Sequence, residues 1–436
     1  MVGLNSNMRP TRASSVLIRA ARSHRFGVLG AGVVAATVLA GCSAGTGSST
    51  ATASVVAAST TSGPSYAPAP APTISITPKD GAADVRLDSP VQVAVDTGML
   101  DSVLVHTDAS ATAIPGQMSS NGRSWQASGG LDPKVHYIVE ATAHDSGGSS
   151  TAQAAFTTLS VGNRLSTDVF PGDGATVGVG MPIILKFSSS VPAANQSALL
   201  QHIQVQSSTP VEGAWHWFGD REVHWRPKDY WPAATKVTVQ ASLRGVEAGN
   251  NVWGLGDWTS SFTIGDKHTS VIDAAAHQMQ VYSNDQLIHT YPVSTGKASS
   301  PTISGTLFVW YKLQKVRMVS TSIGIPTNAP GGYDEDVFWD TAISTDGFYI
   351  HSAPWSVGSQ GFTNVSHGCV NLSEARAIEF YKFSQVGDIV TVKNTSRIAD
   401  GSDGEADWQI PFDQYANSGG ASQAPAPAAA TSGGGI

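Results

Sequence analysis

Hydrophobic and polar positions alternate in short runs from Thr73 to about Leu159: Ile74/Ile76, Val91/Val93/Val95 and Tyr137/Val139/Ala141. A period of two marks strands with one buried face. Turn residues break the runs at Pro78-Lys79-Asp80-Gly81 and at Ser119-Ser120-Asn121-Gly122. Strands at this spacing predict a β-sandwich.

The pattern then repeats over residues 160–266. Pro78-Lys79-Asp80-Gly81-Ala82 recurs as Pro171-Gly172-Asp173-Gly174-Ala175, and Val139-Glu140-Ala141 as Val239-Gln240-Ala241. Trp125 is echoed by Trp225, and Ala155-Phe156-Thr157 by Ser261-Phe262-Thr263. The offset runs from 93 residues (Pro78 to Pro171) to 106 (Phe156 to Phe262), about one immunoglobulin-sized module. The second copy is rich in aromatics: Trp215, Trp217, Trp225, Tyr230 and Trp231. They are expected in the core and at domain contacts, with a glycan-binding surface as the alternative. Glu247, Asn250 and Asn251 in a Gly-rich loop are a weak candidate cation site, because only one is a carboxylate.

A third domain spans residues 267–395. Val271-Ile272-Asp273, Met279-Gln280-Val281-Tyr282 and Leu287–Val293, with a turn at Asn284-Asp285, predict a hairpin or meander. Phe348–His351 reads as a buried strand ending in a histidine, followed by a polar loop over 356–364. Ser373-Glu374 is expected to cap a helix running to about Phe383, and Ile389–Val392 to be a closing strand. Met318–Trp339, rich in Gly, Pro and Asn, is expected to act as a lid. Residues 396–418 hold Trp408, Ile410, Phe412 and Tyr415, too apolar for a free tail, and residues 419–436 are low-complexity and expected to be disordered.

The N-terminus has a different logic. Five arginines precede Phe26–Ala40, an uncharged apolar run that ends in Leu39-Ala40-Gly41-Cys42. The run is shorter than the ~20 residues of a spanning helix. Residues 1–41 therefore read as a secretory signal peptide. Leu-Ala-Gly-Cys resembles the bacterial lipobox, which implies cleavage before Cys42 and lipidation there, hence a membrane partner through the anchor. The Ser/Thr/Ala/Gly/Pro-rich residues 42–72 read as a disordered tether. The expected location is the outer face of the cell membrane, with the protein acting in the cell wall or periplasmic space.

Charge narrows the partners. The formal net charge is −8, and removal of the five leader arginines leaves 20 basic against 33 acidic residues, a balance of −13. Such a chain lacks the basic footprint that nucleic acids require.

The chemistry concentrates in Tyr349–Leu372, which carries His351, His367 and Cys369. A free thiol titrates near 8.5, and a neighbouring imidazolium favours the nucleophilic thiolate. The thiolate can attack a peptide carbonyl to form a thioester, and the protonated histidine can then protonate the leaving amine. Gly368 allows close backbone approach and a sharp turn beside the nucleophile. Two other readings compete: Cys369 as a small buried hydrophobe, and zinc held by His351, His367 and Cys369. The spacing matches no common structural zinc pattern and no fourth ligand is evident.

His351-Ser352 followed by Ser366-His367-Gly368-Cys369-Val370-Asn371 resembles the signature of the L,D-transpeptidases. Upstream, Pro292-Val293-Ser294-Thr295-Gly296 and Pro301-Thr302 with Gly305-Thr306-Leu307-Phe308 resemble that family too, although Ile303-Ser304 stands where a proline usually follows Pro-Thr. The arrangement as a whole is similar to mycobacterial lipoprotein members. The resemblance implies a mainly β fold: two immunoglobulin-like β-sandwich modules, then an L,D-transpeptidase catalytic β-sandwich domain with a short helix.

It also implies a reaction on peptidoglycan stem peptides. Cys369 would attack the third residue of a tetrapeptide donor, release D-alanine and pass the acyl group to another stem, giving a 3→3 cross-link. No metal and no cofactor is implied, and carbapenems would acylate Cys369. His351 would be base and acid, and the Ser352 backbone would orient its imidazole. His367, Gly368 and Cys369 would supply a backbone oxyanion site. Tyr333, Gly347 and Asn371 would contact substrate. Asp346 stands where the family often has a small or neutral residue, and Met318 and Trp355 would wall the cleft. The protein is expected to act as a monomer. An L,D-carboxypeptidase with the same site and a non-catalytic wall-binding lipoprotein are the rival readings.

Overall fold

The alternation over the first module resolves into two four-stranded sheets. Ile74–Thr77, Gln92–Val95, Ser124–Ala127 and Gly116–Met118 form one; Ala82–Val85, Gly148–Thr158, His136–Asp145 and Met99–Thr107 form the other. Val93 and Trp125 from the first share one buried core with Val105, Tyr137, Val139 and Phe156 from the second. The computed structural model describes residues 70–110, 112–400, 403–404 and 407–419. The expected signal peptide, Cys42, nearly all of the expected tether and the residues beyond Gly419 lie outside the described residues. Among the described residues no helix is long and apolar enough to cross a membrane.

The second module repeats the plan with sheets Thr167–Phe170, Ile183–Phe187, Glu222–Pro227, Gly213–Trp217 and Thr176–Val177, Trp258–Ile264, Lys236–Ala241, Ile203–Ser207. The sequence echoes are structural equivalents. Asp80 Oδ1 accepts the Ala155 N–H at 2.8 Å, and Asp173 Oδ1 accepts the Ser261 N–H at 2.9 Å. Each matched tryptophan lies over a glycine: a Cβ on Gly116 would fall 1.9 Å from Trp125, and one on Gly213 would fall 2.1 Å from Trp225. Trp215, Trp225 and Trp231 are fully buried, so they build the core and present no glycan-binding face.

The loop considered for a cation is a module junction. Glu247 pairs with Arg86 at 2.8 Å, and Asn251 Oδ1 accepts the Trp253 indole N–H at 2.9 Å while Trp253 itself packs in the first module's core. The Glu247 carboxylate is thus engaged by a guanidinium.

The third domain pairs a six-stranded sheet with a four-stranded one. The first has the order Gln286–Pro292, Gln278–Ser283, His268–Asp273, Ile389–Lys393, Ile303–Phe308, Arg397–Ile398. The second has the order Tyr311–Val319, Asp334–Ala342, Tyr349–Ser352, Val370–Leu372. The predicted meander is present, turning at Asn284 (φ 49°) and Asp285 (φ 65°). Ile272, Val281 and Val390 from one sheet and Ile350, Val370 and Leu372 from the other share a core with Ala377 and Phe380. Those two residues belong to the helix Glu374–Phe383.

Two local expectations need correction. Ser373 makes no side-chain cap; its carbonyl accepts the Ala377 N–H at 2.9 Å. The segment expected to act as a lid is less irregular than its composition suggested: Met318-Val319 and Asp334–Trp339 are strand, and only Ser320–Tyr333 leaves the sheet. Arg317 pairs across the strands with Asp334 (2.7 Å) and Asp336 (3.3 Å) where the two strands flank this segment.

Residues 407–419 fold back across two domains. Trp408 Nε1 donates to Gly180 O and Arg226 Nη2 to Ile410 O, both at 2.8 Å, while Gln409 donates to Thr306 O. The helix Phe412–Gly419 packs on the strand Gly213–Trp217.

Candidate active site

The strand Tyr349–Ser352 lies antiparallel to Asp334–Ala342 and parallel to Val370–Leu372, with His351 opposite Asn371. Cys369 immediately precedes the last of these strands, so topology brings the histidine and the cysteine to one sheet end. The turn before Cys369 needs a glycine. Gly368 has φ +132°, and a Cβ there would sit 2.9 Å from the Phe348 ring. Ser366 Oγ accepts the Gly368 N–H at 3.1 Å and donates to Cys369 O at 2.6 Å. Thr302 Oγ1 donates to Gly368 O at 2.6 Å and accepts the Gly296 N–H at 2.9 Å. The upstream Pro-Thr and Pro-x-Ser-x-Gly stretches therefore clamp the cysteine turn.

His351 is 4% exposed, and its Nδ1 lies 2.9 Å from Ser352 O. A carbonyl only accepts, so Nδ1 carries the hydrogen and Nε2 is left as the base. Burial lowers the imidazole to a pKa of about 4, against the opposing pull of the Ser352 carbonyl. Cys369 is half-buried, with Sγ 3.7 Å from Gly347 O. Burial pushes its thiol up to about 12; a backbone hydrogen bond from Tyr349 works against this and Asp340 adds to it. The resting pair is accordingly a neutral thiol and a neutral imidazole. Burial thus works against the thiolate–imidazolium pair expected from residue types, because removing both groups from water disfavours both charges.

This has a direct solution test. Alkylation of Cys369 by iodoacetamide is expected to rise about tenfold per pH unit from pH 7 to 10, since thiolate is the reacting form and the thiol pKa lies near 12. A plateau near pH 8.5 in the pH–rate profile would contradict the buried-thiol state.

Two cavities flank the sulfur, of about 770 Å³ and about 300 Å³. Cys369, Met318, Tyr333 and His367 line both. Gly347, Asp346 and Gly368 line the larger one; His351, Trp355 and Asn371 line the smaller. Trp355 is 57% exposed, with its ring centroid 6.2 Å from that of His351. Gly347 has a left-handed φ of 92°, which a side chain would strain although a Cβ there would meet nothing within 4 Å. Burial raises the Tyr333 phenol, and Cys369 and Glu335 raise it further.

Two expected roles change. The Gly368 N–H is taken by Ser366 Oγ, so it is not an oxyanion donor in this structure. The Asn371 amide donates to Ser356 Oγ at 3.0 Å, which ties it to the loop 356–364. His367 accepts the Lys297 ammonium on Nε2 at 2.9 Å, an arrangement that a cation bound to the same nitrogen would exclude.

Sequence reasoning passed over three neighbours. Lys297 closes a motif noted for its glycine. Asp340 is fully buried with neither oxygen hydrogen-bonded, and burial pushes it up to about 7. Glu335 lines the smaller cavity. An aspartate inside the apolar run Val337–Ile343 was a visible signal for Asp340; nothing local singled out the other two.

A family profile described as a bacterial Ig domain matches residues 82–247, and the L,D-transpeptidase catalytic domain profile (YkuD) matches residues 267–392. L,D-transpeptidase 2 of Mycobacterium tuberculosis (strain CDC 1551 / Oshkosh) is 39% identical over 344 residues, 79% of this chain and 83% of that protein. L,D-transpeptidase 5 of M. tuberculosis (strain ATCC 25618 / H37Rv) is 31% identical over 78% of this chain and 76% of that protein. A solved L,D-transpeptidase in complex with imipenem aligns at 34% identity and a TM-score of 0.47, over 53% of this chain and 99% of that one. With full-length relatives at this identity and its catalytic domain matched by the family profile, the chain belongs to the L,D-transpeptidases.

Proposed function

We propose that the protein forms 3→3 cross-links between peptidoglycan stem peptides through a thioester on Cys369. The observation that carries this reading is the position of Cys369 on the edge shared by two adjoining cavities, room for an acyl donor on one side of the sulfur and an acceptor on the other. A tetrapeptide donor presents the carbonyl of its third residue to the sulfur. As sulfur attacks, its proton passes to His351 Nε2; as the tetrahedral intermediate collapses, that proton goes to the departing D-alanine amine. The Ser352 carbonyl holds the imidazole in the required tautomer. Backbone N–H groups of His367 and Cys369 are the remaining oxyanion donors, each typically worth about 3 kcal/mol. Tyr333, Met318 and Trp355 pack the bound peptides; Gly347 and Asp346 meet the chain in the larger cavity, and Asn371 orders the smaller one.

The reading extends to carbapenems as acylating agents of Cys369. It also places the protein, as a monomer, on the outer face of the cell membrane, with lipidated Cys42 as anchor and residues 42–72 as tether toward the wall.

Purified tetrapeptide stems decide the reaction. A cross-linked dimer seen by mass spectrometry is the expected product, absent with Cys369→Ala. Tripeptide alone would make the protein an L,D-carboxypeptidase. No product and no carbapenem adduct would leave a non-catalytic wall-binding lipoprotein.

A further inference from the structure

Three consecutive acids, Asp334-Glu335-Asp336, open the strand that follows the lid. Strand alternation sends them to opposite faces. Asp334 and Asp336 face the neighbouring strand's cations: Arg317 pairs with both, and Lys315 pairs with Asp336 at 2.8 Å. Glu335 stands opposite Met318 and, like Met318, lines the smaller cavity beside His351 and Cys369. Among the described residues Glu335 has no ion-pair or hydrogen-bond partner. It is half-buried, and burial raises its pKa. It lies close enough to Tyr333 to raise the phenol's pKa.

The two cavities differ in charge. Arg317 and Arg397 line the larger one, whereas the smaller has no lysine or arginine in its lining and Glu335 is its single carboxylate. The nearby Lys297 ammonium is already engaged by His367 Nε2. A half-buried carboxylate without a counter-ion, beside the thioester position, is complementary to an alkylammonium.

We infer that Glu335 recognises the ammonium of the acceptor stem in the smaller cavity and so favours acyl transfer to an amine over hydrolysis. The inference rests on the proposed transfer reaction and names the residue that selects its acceptor. Water can only donate a neutral hydrogen bond to the carboxylate, whereas an ammonium adds charge attraction and is concentrated there. Glu335 takes one proton from the ammonium and leaves the free amine. The amine nitrogen attacks the thioester carbonyl carbon. The new C–N bond forms as the C–S bond breaks, and the second nitrogen proton passes through His351 Nε2 to the Cys369 sulfur. Glu335 then returns its proton to solvent.

The test uses the full chain with a tetrapeptide donor and a tripeptide acceptor bearing a free side-chain amine. The ratio of cross-linked dimer to hydrolysed tripeptide measures how one thioester partitions, independent of how fast it forms. E335Q is expected to lower this ratio about ten- to a hundredfold, the range for a charge-assisted hydrogen bond, and to raise the acceptor KM in step. E335D is expected to recover most of the ratio. An E335Q enzyme that partitions like wild type overturns the role of Glu335 and leaves the transfer reaction standing. A wild-type enzyme that makes only tripeptide overturns both.

Discussion

Replacing His351 with glutamine is expected to slow carbapenem capture of Cys369 by about 10²–10⁴-fold, and Cys369→Ala to abolish it. The size follows from the resting state. With burial pushing the thiol up to about 12, thiolate is scarce at pH 7. Almost every productive attack must therefore create the nucleophile as it reacts, and Nε2 of His351 is the acceptor left free by the Ser352 carbonyl. Glutamine preserves most of the volume in a site that is 4% exposed, so the variant should keep its fold. Adduct formation followed by mass spectrometry gives the rate, and melting curves check the fold. A His351→Gln protein labelled within a few-fold of wild type would show that the thiolate forms without this base.

Tyr415→Ala is expected to cost about 3–5 kcal/mol of stability, the usual range for removing a buried aromatic side chain. Tyr415 is fully buried; its ring stacks on His216 at 4.6 Å and lies 4.5 Å from the Arg226 guanidinium. Its hydroxyl donates to Asp407 at 2.7 Å. Tyr415→Phe should cost less, about 1.5–3 kcal/mol, because the ring stays in place and the bond to the carboxylate is lost. Urea unfolding of the two variants against wild type measures both. Burial would raise the Asp407 carboxyl, but His224 and the Tyr415 hydroxyl outweigh it and hold it below the usual range. The stability it adds is therefore present above the ordinary carboxylate pKa and is lost as pH falls through the depressed value. Equal urea midpoints for Tyr415→Ala and wild type would mean that the C-terminal helix is not part of the cooperative structure.

Much of this molecule is written in local pattern. Period-two alternation at Ile74/Ile76, Val91/Val93/Val95 and Tyr137/Val139/Ala141 appears as strands in paired sheets. The echo of Pro78–Ala82 in Pro171–Ala175 appears as one aspartate-to-backbone bond made twice. Such features are legible because a strand's face and a turn's chemistry depend on residues within a few positions of each other. The same holds for the His351 and Cys369 motif, whose resemblance to the signature of this family was already legible. The helix Glu374–Phe383 was also local, although its expected serine cap was not: the Ser373 side chain makes no cap hydrogen bond.

The amino-acid sequence by itself determined the mainly β architecture and the doubled module through periodicity, and the family through the resemblance of one short motif, because all of these are properties of neighbouring residues. Only the tertiary structure decided which of three adjacent acids faces the cavity, that Lys297 meets His367, and that Cys369 lies between two cavities. It also decided the protonation of the site. Charge state follows from how much water each group loses, and that loss is set by strands hundreds of atoms apart along the chain that only folding brings together.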